Sequence, residues 1–186
     1  MNFELKGKRA IVSAGGSGIG RSIVSEFIKQ GVSVSTCDID KSLVRELKNK
    51  YPQIYAEVVD VADEKSVKEF CAKSIKFSGG LDFLVNNAGV AGPTLSIEEI
   101  NGEDWSHCLN VCLSSQFYFV KYCLKHLRKS TSASIVNLSS AAGQYGFAFR
   151  TPYASAKWGV IGLTKSLSIE LGKDKIRVNA ILPGLV

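Results

Sequence analysis

No stretch of this chain reaches the ~18–20 consecutive apolar residues that a helix needs to cross a bilayer. The opening MNFELKGKR also lacks a signal-like apolar core. The reading is therefore a cytoplasmic chain with no membrane partner. Histidine is scarce: there are two, His107 and His126. The five cysteines stand at 37, 71, 108, 112 and 123 and form no C-x-x-C pair. Cys108 and Cys112 share a helix face, but two thiols and two distant histidines make a poor metal site, and no secreted disulfide framework is visible. No metal is expected, and the thiols are read as reduced. A basic cluster is missing as well. The net charge is +6, yet the lysines are spread through helical segments as on a solvated surface. A nucleic-acid partner is not expected. Neither repeats nor low-complexity tracts appear. Asn137-Leu138-Ser139 fits a glycosylation acceptor but falls in a predicted strand and is set aside.

What remains is an ordinary globular composition, 45% hydrophobic and 22% charged over 186 residues. That length suits one domain with a substantial core. Short β-rich runs near 8–13, 32–37, 54–59, 81–86, 133–139 and 176–181 alternate with helical patterns near 18–30, 41–50, 63–78, 103–129 and 153–172. Alternation of this kind implies a parallel sheet with helices on both faces, an α/β/α sandwich of the doubly wound Rossmann type. The longest irregular stretch, 88–102, follows a predicted strand end, which is where ligands bind in such sheets.

The first strand runs into GGSGIG and then a helix. Gly15, Gly16, Gly18 and Gly20 let the backbone approach a ligand, and the helix N-terminus offers N–H groups to phosphate. The second strand ends at Asp38. A carboxylate there accepts hydrogen bonds from both adenosine ribose hydroxyls and repels a 2′-phosphate, which argues for NAD. Asp40 is the better candidate to cap the helix starting near Lys41.

A second constellation lies in SSAAGQYGFAFRTPYASAK. Tyr153 and Lys157 are spaced i, i+4 and share a helix face. An ammonium beside a phenol favours the phenolate, which makes Tyr153 a candidate general acid/base. Ser140 is expected at a strand tip, where its hydroxyl can polarise a substrate oxygen. Gln144, Tyr145, Phe147 and Phe149 are candidates for a pocket wall. Arg150 reads either as a contact for an anionic substrate or as a surface residue.

With these residues in place the chain resembles the short-chain dehydrogenase/reductase family over essentially its whole length. The marks are the SAGGSGIG turn, Asp60-Val61, Asn86-Asn87-Ala88-Gly89, Ser140, Tyr153-x-x-x-Lys157 and Asn179…Pro183-Gly184. The resemblance implies hydride transfer between a nicotinamide cofactor, NAD by the Asp38 reading, and an alcohol or carbonyl substrate. It gives Tyr153 the proton transfer. Lys157 holds the nicotinamide ribose and lowers the tyrosine pKa, and Ser140 positions the substrate oxygen. The implied cofactor contacts are Ser13, Gly15, Ser17, Gly18, Ile19, Gly20, Asp38, Asp60, Val61, Asn87, Ala88, Gly89, Tyr153, Lys157, Pro183, Gly184 and Val186. A homodimer or homotetramer paired through helices 103–129 and 153–172 is the implied assembly.

Three positions depart from the family pattern. Ala14 replaces a usual glycine; it is tolerable at negative φ and costs roughly 1 kcal/mol or more at positive φ. Cys112 stands where an asparagine is usual, seven residues after Trp105; Asn110 lies about 200° around the helix from that face. The chain also stops at Val186, where the family continues. This leaves two readings, a piece of a longer product or a shortened NAD binder without turnover. The presence of Ser140, Tyr153 and Lys157 favours the first.

Overall fold

A computed structural model describes residues 4–184. The strands are β1 (Arg9–Ser13), β2 (Ser33–Asp38), β3 (Tyr55–Val58), β4 (Phe83–Asn86), β5 (Ser134–Leu138) and β6 (Arg177–Ile181). The helices are α1 (Gly18–Lys29), α2 (Lys41–Lys50), α3 (Glu64–Ser78), α4 (Gly102–Leu109), α5 (Ser115–Leu127) and α6 (Thr151–Glu170). The sheet runs in the order β3-β2-β1-β4-β5-β6 and is parallel at every pairing. This is the doubly wound Rossmann arrangement read from the sequence.

Strand alternation decides which side chains enter which layer. Ile11, Leu84, Ile135 and Val178 point to one face and pack with Phe70 and Cys71 of α3 and with Phe119 and Cys123 of α5. Ala10, Val12, Val34 and Val85 point to the other face, onto Val24 of α1 and Leu47 of α2. Helix starts follow their chemistry. The Asp40 side chain accepts from the N–H groups of Ser42 and Leu43 at the head of α2, and Asp63 does the same for Lys65 and Ser66 at the head of α3. Gly79, at φ +72°, ends α3.

The single helix expected over 103–129 is interrupted. Between α4 and α5 the chain makes a π-helical turn, Asn110–Ser114. The inserted residue loosens the carbonyl ladder, and side chains take up the freed acceptors. Ser115 Oγ donates to the Val111 carbonyl at 2.6 Å, and Gln116 Nε2 donates to that of Cys112 at 3.1 Å. Of the stretch 88–102, residues 88–101 are irregular apart from one 3-10 turn, Ile97–Glu99, and Gly102 already opens α4.

A buried polar string joins the sheet to α6. Asn86 Nδ2 donates to Asn137 Oδ1 at 2.8 Å, and Asn137 Nδ2 donates to Thr164 Oγ1 at 2.9 Å. Asn137, the candidate glycosylation acceptor, is fully buried in this string. Asn137→Ala strands both partners and is expected to destabilise the fold by about 2–3 kcal/mol, read as a lower denaturant midpoint with an unchanged slope.

Candidate active site

The strand order reverses between β1 and β4, and the C-terminal ends of the strands open there into a cavity of about 620 Å³. Ile19, Asn87, Gly89, Ser140, Tyr153, Lys157, Pro183 and Gly184 all line it. Val186 lies outside the described residues.

The turn after β1 is packed to the limit of glycine. A Cβ on Gly20 would run into the Ala14 carbonyl and Asn87 Nδ2, and one on Gly16 would sit 2.5 Å from Asp38 Oδ2. Gly15 is buried against Thr36 in the same way. Gly18 is different: it has φ +51° and nothing within 4 Å of its missing Cβ. Its backbone therefore faces open space beside the exposed Ser17, and no side chain caps α1 there. This leaves the first-turn N–H groups of α1 for an anion. Ala14 has φ +51°, so the positive-φ alternative holds and the methyl is strained.

Ser13, expected among the cofactor contacts, is buried behind the turn. Its hydroxyl accepts from the Asn87 and Ala88 N–H groups at 2.9 and 3.0 Å, which clamps β1 to β4. Asn87 returns the clamp, with Nδ2 donating to the carbonyls of Ser13 and Ala14. Ala88 is buried, while Gly89 faces out. Asp38 ends β2 with its carboxylate held by two backbone donors, Gly16 N–H on Oδ2 at 2.9 Å and Asp40 N–H on Oδ1 at 3.1 Å. Asp60 is exposed beyond β3 and accepts from the Ala62 N–H; Val61 beside it is buried.

Across the cavity, Ser140 follows β5, and its Oγ accepts from the Ala142 N–H at 3.2 Å. Tyr153 and Lys157 rise from the first turns of α6, with Nζ 5.6 Å from the phenol ring centroid. Lys157 is almost fully buried, at 3% exposure. Burial pushes its pKa down, and the nearby Cys112 and Cys108 thiols offset part of that shift. One of its three N–H donors goes to the Leu138 carbonyl at 2.9 Å. The same carbonyl receives Gln116 Nε2 at 3.3 Å. Cys112 sits on the π-turn and faces loop 88–102; its thiol accepts from the Val90 N–H at 3.3 Å and donates to the Val90 carbonyl at 3.4 Å. Gln116 went unnoticed in the sequence, because a π-turn leaves no mark in helical periodicity.

A family model described as short chain dehydrogenase matches residues 8–186. The chain belongs to the short-chain dehydrogenase family. It is 37% identical over 188 residues to the 3-oxoacyl-(acyl-carrier-protein) reductase FabG of Thermotoga maritima, covering 99% of this chain and 76% of that one. It is 34% identical to the L-fucose dehydrogenase of Bos taurus, covering 99% and 68%. The crystal structure of a levodione reductase superposes with a TM-score of 0.91 at 29% identity, covering 96% of this chain and 72% of the other. Short-chain dehydrogenases are hydride-transferring oxidoreductases that bind nicotinamide cofactors. The uncapped N-terminus of α1, the open face of Gly18 and the free donors of Lys157 fit such a dinucleotide.

Two stability outcomes follow from the strained and buried groups. Ala14→Gly relieves the positive φ and is expected to stabilise the fold by about 1 kcal/mol, raising Tm by ~2–4 °C in a calorimetric melt. Lys157→Met removes a buried ammonium and is expected to melt at or above the wild-type temperature at pH 7. The folded lysine pKa is depressed, so the unfolded chain binds more protons between the two values. The wild type therefore gains on Lys157→Met as pH rises through the folded pKa towards the unfolded value near ~10.4. A wild type that loses ground to Lys157→Met over that window would refute the assignment.

Proposed function

We propose that this chain is an NAD-dependent dehydrogenase or reductase that interconverts an alcohol and a carbonyl. The observation that carries the reading is the meeting of Ser140, Tyr153 and a buried Lys157 in one cavity that the uncapped phosphate turn also borders. The bound nicotinamide supplies or accepts the hydride. Tyr153 gives a proton to the carbonyl oxygen, or takes one from the alcohol. Ser140 donates to the same oxygen and fixes its position. Lys157 lies beside the ring, where its charge stabilises the negative charge that develops on the phenol oxygen. Lys157 lines the cavity, and the two donors that the Leu138 carbonyl does not take would serve the nicotinamide ribose hydroxyls. Asp38 is held by Gly16 and Asp40 and presents its remaining lone pairs to the adenosine ribose. Its charge disfavours a 2′-phosphate, which supports NAD over NADP. Asp60 and Val61 lie next along the strand ends, where the adenine would sit.

The outer faces of α5 and α6 carry exposed Phe117, Trp158 and Ile169, the last at 84% exposure. They support a homodimer or homotetramer paired through these helices. Sedimentation at micromolar concentration is expected to show an oligomer; a monomer would overturn that assembly.

Two measurements test the activity. Fluorescence titration is expected to show saturable NADH binding at least tenfold tighter than NADPH, with Asp38→Asn narrowing the gap. Tyr153→Phe is expected to lower kcat by roughly 10²- to 10⁴-fold while NADH still binds. Full turnover by that variant would remove Tyr153 from the mechanism. NADH binding with no turnover of any alcohol or ketone would favour a sensor that holds the cofactor without chemistry.

A further inference from the structure

Among the described residues, the cavity is lined by two cationic side chains, Arg150 and Lys157, and by no carboxylate side chain. Lys157 belongs to the chemistry above. Arg150 does not. It stands at the head of α6 with its Cζ 5.2 Å from the Tyr153 ring centroid, on the side of the ring next to loop 88–102. Nη2 donates to the Ala91 carbonyl at 2.6 Å. Among the described residues no aspartate or glutamate pairs with it. Its Nε is shielded from solvent and has no acceptor.

A guanidinium carries five N–H donors in a planar fork that matches a carboxylate. Here a single hydrogen bond holds it, to a neutral carbonyl. A shielded cationic donor without a partner is costly, and such a group asks for an explanation. The backbone beside it is strained too. Phe149 has φ +61°, held by its carbonyl accepting from the Leu95 N–H at 3.1 Å. Backbone strain at a non-glycine residue persists where the surroundings impose it, commonly at ligand sites. Phe147, on the same segment, lines the cavity and remains 54% exposed. The wall therefore offers a cation beside an apolar surface, next to the reacting tyrosine.

We propose that the substrate is a hydroxy acid or oxo acid whose carboxylate pairs with Arg150 while its oxidisable carbon lies against Tyr153 and Ser140. This rests on the dehydrogenase reading above and narrows its substrate class. Arg150 lies against the tyrosine ring, so the carboxylate sits within a few bonds of the reacting carbon, and the apolar part of the molecule rests on Phe147. In oxidation, the alcohol O–H proton passes to the Tyr153 oxygen, and the carbon bearing that oxygen gives up its hydride, which a bound oxidised nicotinamide would accept. The C–O single bond becomes a carbonyl. The carboxylate keeps its charge throughout and serves only to orient.

The test compares short 2-hydroxy and 3-hydroxy acids with their methyl esters, which keep the shape and lose the charge. The wild type is expected to favour at least one acid over its ester by roughly ten- to hundredfold in kcat/KM, the worth of a charge-assisted pair. Arg150→Gln is expected to erase that preference by lowering kcat/KM for the acid roughly ten- to hundredfold more than for the ester, and Arg150→Lys to restore part of it. If Arg150 only anchors loop 88–102 through Ala91, both compounds lose equally in Arg150→Gln, and the proposal falls. It also falls if no acid in the panel is turned over. In that case turnover of the esters, abolished by Tyr153→Phe, leaves the dehydrogenase reading standing. The wild-type acid-to-ester ratio needs no variant, so misfolding of Arg150→Gln does not blunt the test.

Discussion

The carbonyl of Leu138, at the tip of β5, is where the site is tied together. It accepts from Lys157 Nζ and from Gln116 Nε2. Those two side chains come from α6 and α5, and Gln116 also holds the Cys112 carbonyl that the π-turn frees. A buried ammonium is tolerable only with such a partner. The single acceptor thus fixes the lysine, and with it the tyrosine one turn earlier on α6. Ser139 adds a second tie from the same strand end, donating its hydroxyl to the Lys157 carbonyl at 2.8 Å.

The opposite side of the cavity is built by close packing rather than by charge. Ser13 and Asn87 exchange hydrogen bonds across the β1–β4 junction, and Gly20 lies against the Ala14 carbonyl with no room for a methyl. Ala14 bears the strain of the turn at φ +51°. The turn keeps its shape because its neighbours leave it no alternative. Cys112 makes a comparable clamp on loop 88–102. One thiol meets both the N–H and the carbonyl of Val90, so a weak hydrogen-bonding group fastens the loop beside the lysine.

Most of the architecture could be read from the chain. The strands alternate apolar positions or run apolar throughout, and the helices carry 3.6-residue patterns with Asp40 as one legible start. Apart from the interruption of the helix expected over 103–129, each element therefore lies within a residue or two of its expected place. Tyr153 and Lys157 were legible because i, i+4 spacing is a local property of a helix. The break at Asn110–Ser114 was not, since a single π-turn leaves no mark in helical periodicity. Ser13 was named among the cofactor contacts through the family resemblance. Only the approach of β4 shows that its hydroxyl also accepts from the Asn87 and Ala88 N–H groups.

By itself, then, the sequence determined the element order, the parallel sheet, the glycine turn and the helical pairing of tyrosine with lysine. All of these follow from periodicity, side-chain size and spacing along one element. The tertiary structure alone decided how deeply Lys157 is buried, which carbonyl receives it, that Ala14 must turn with positive φ, and that Arg150 faces the cavity without a counter-ion among the described residues. Those outcomes depend on groups brought together from distant parts of the chain. Burial and hydrogen-bond satisfaction are properties of such meetings, and no local pattern carries them.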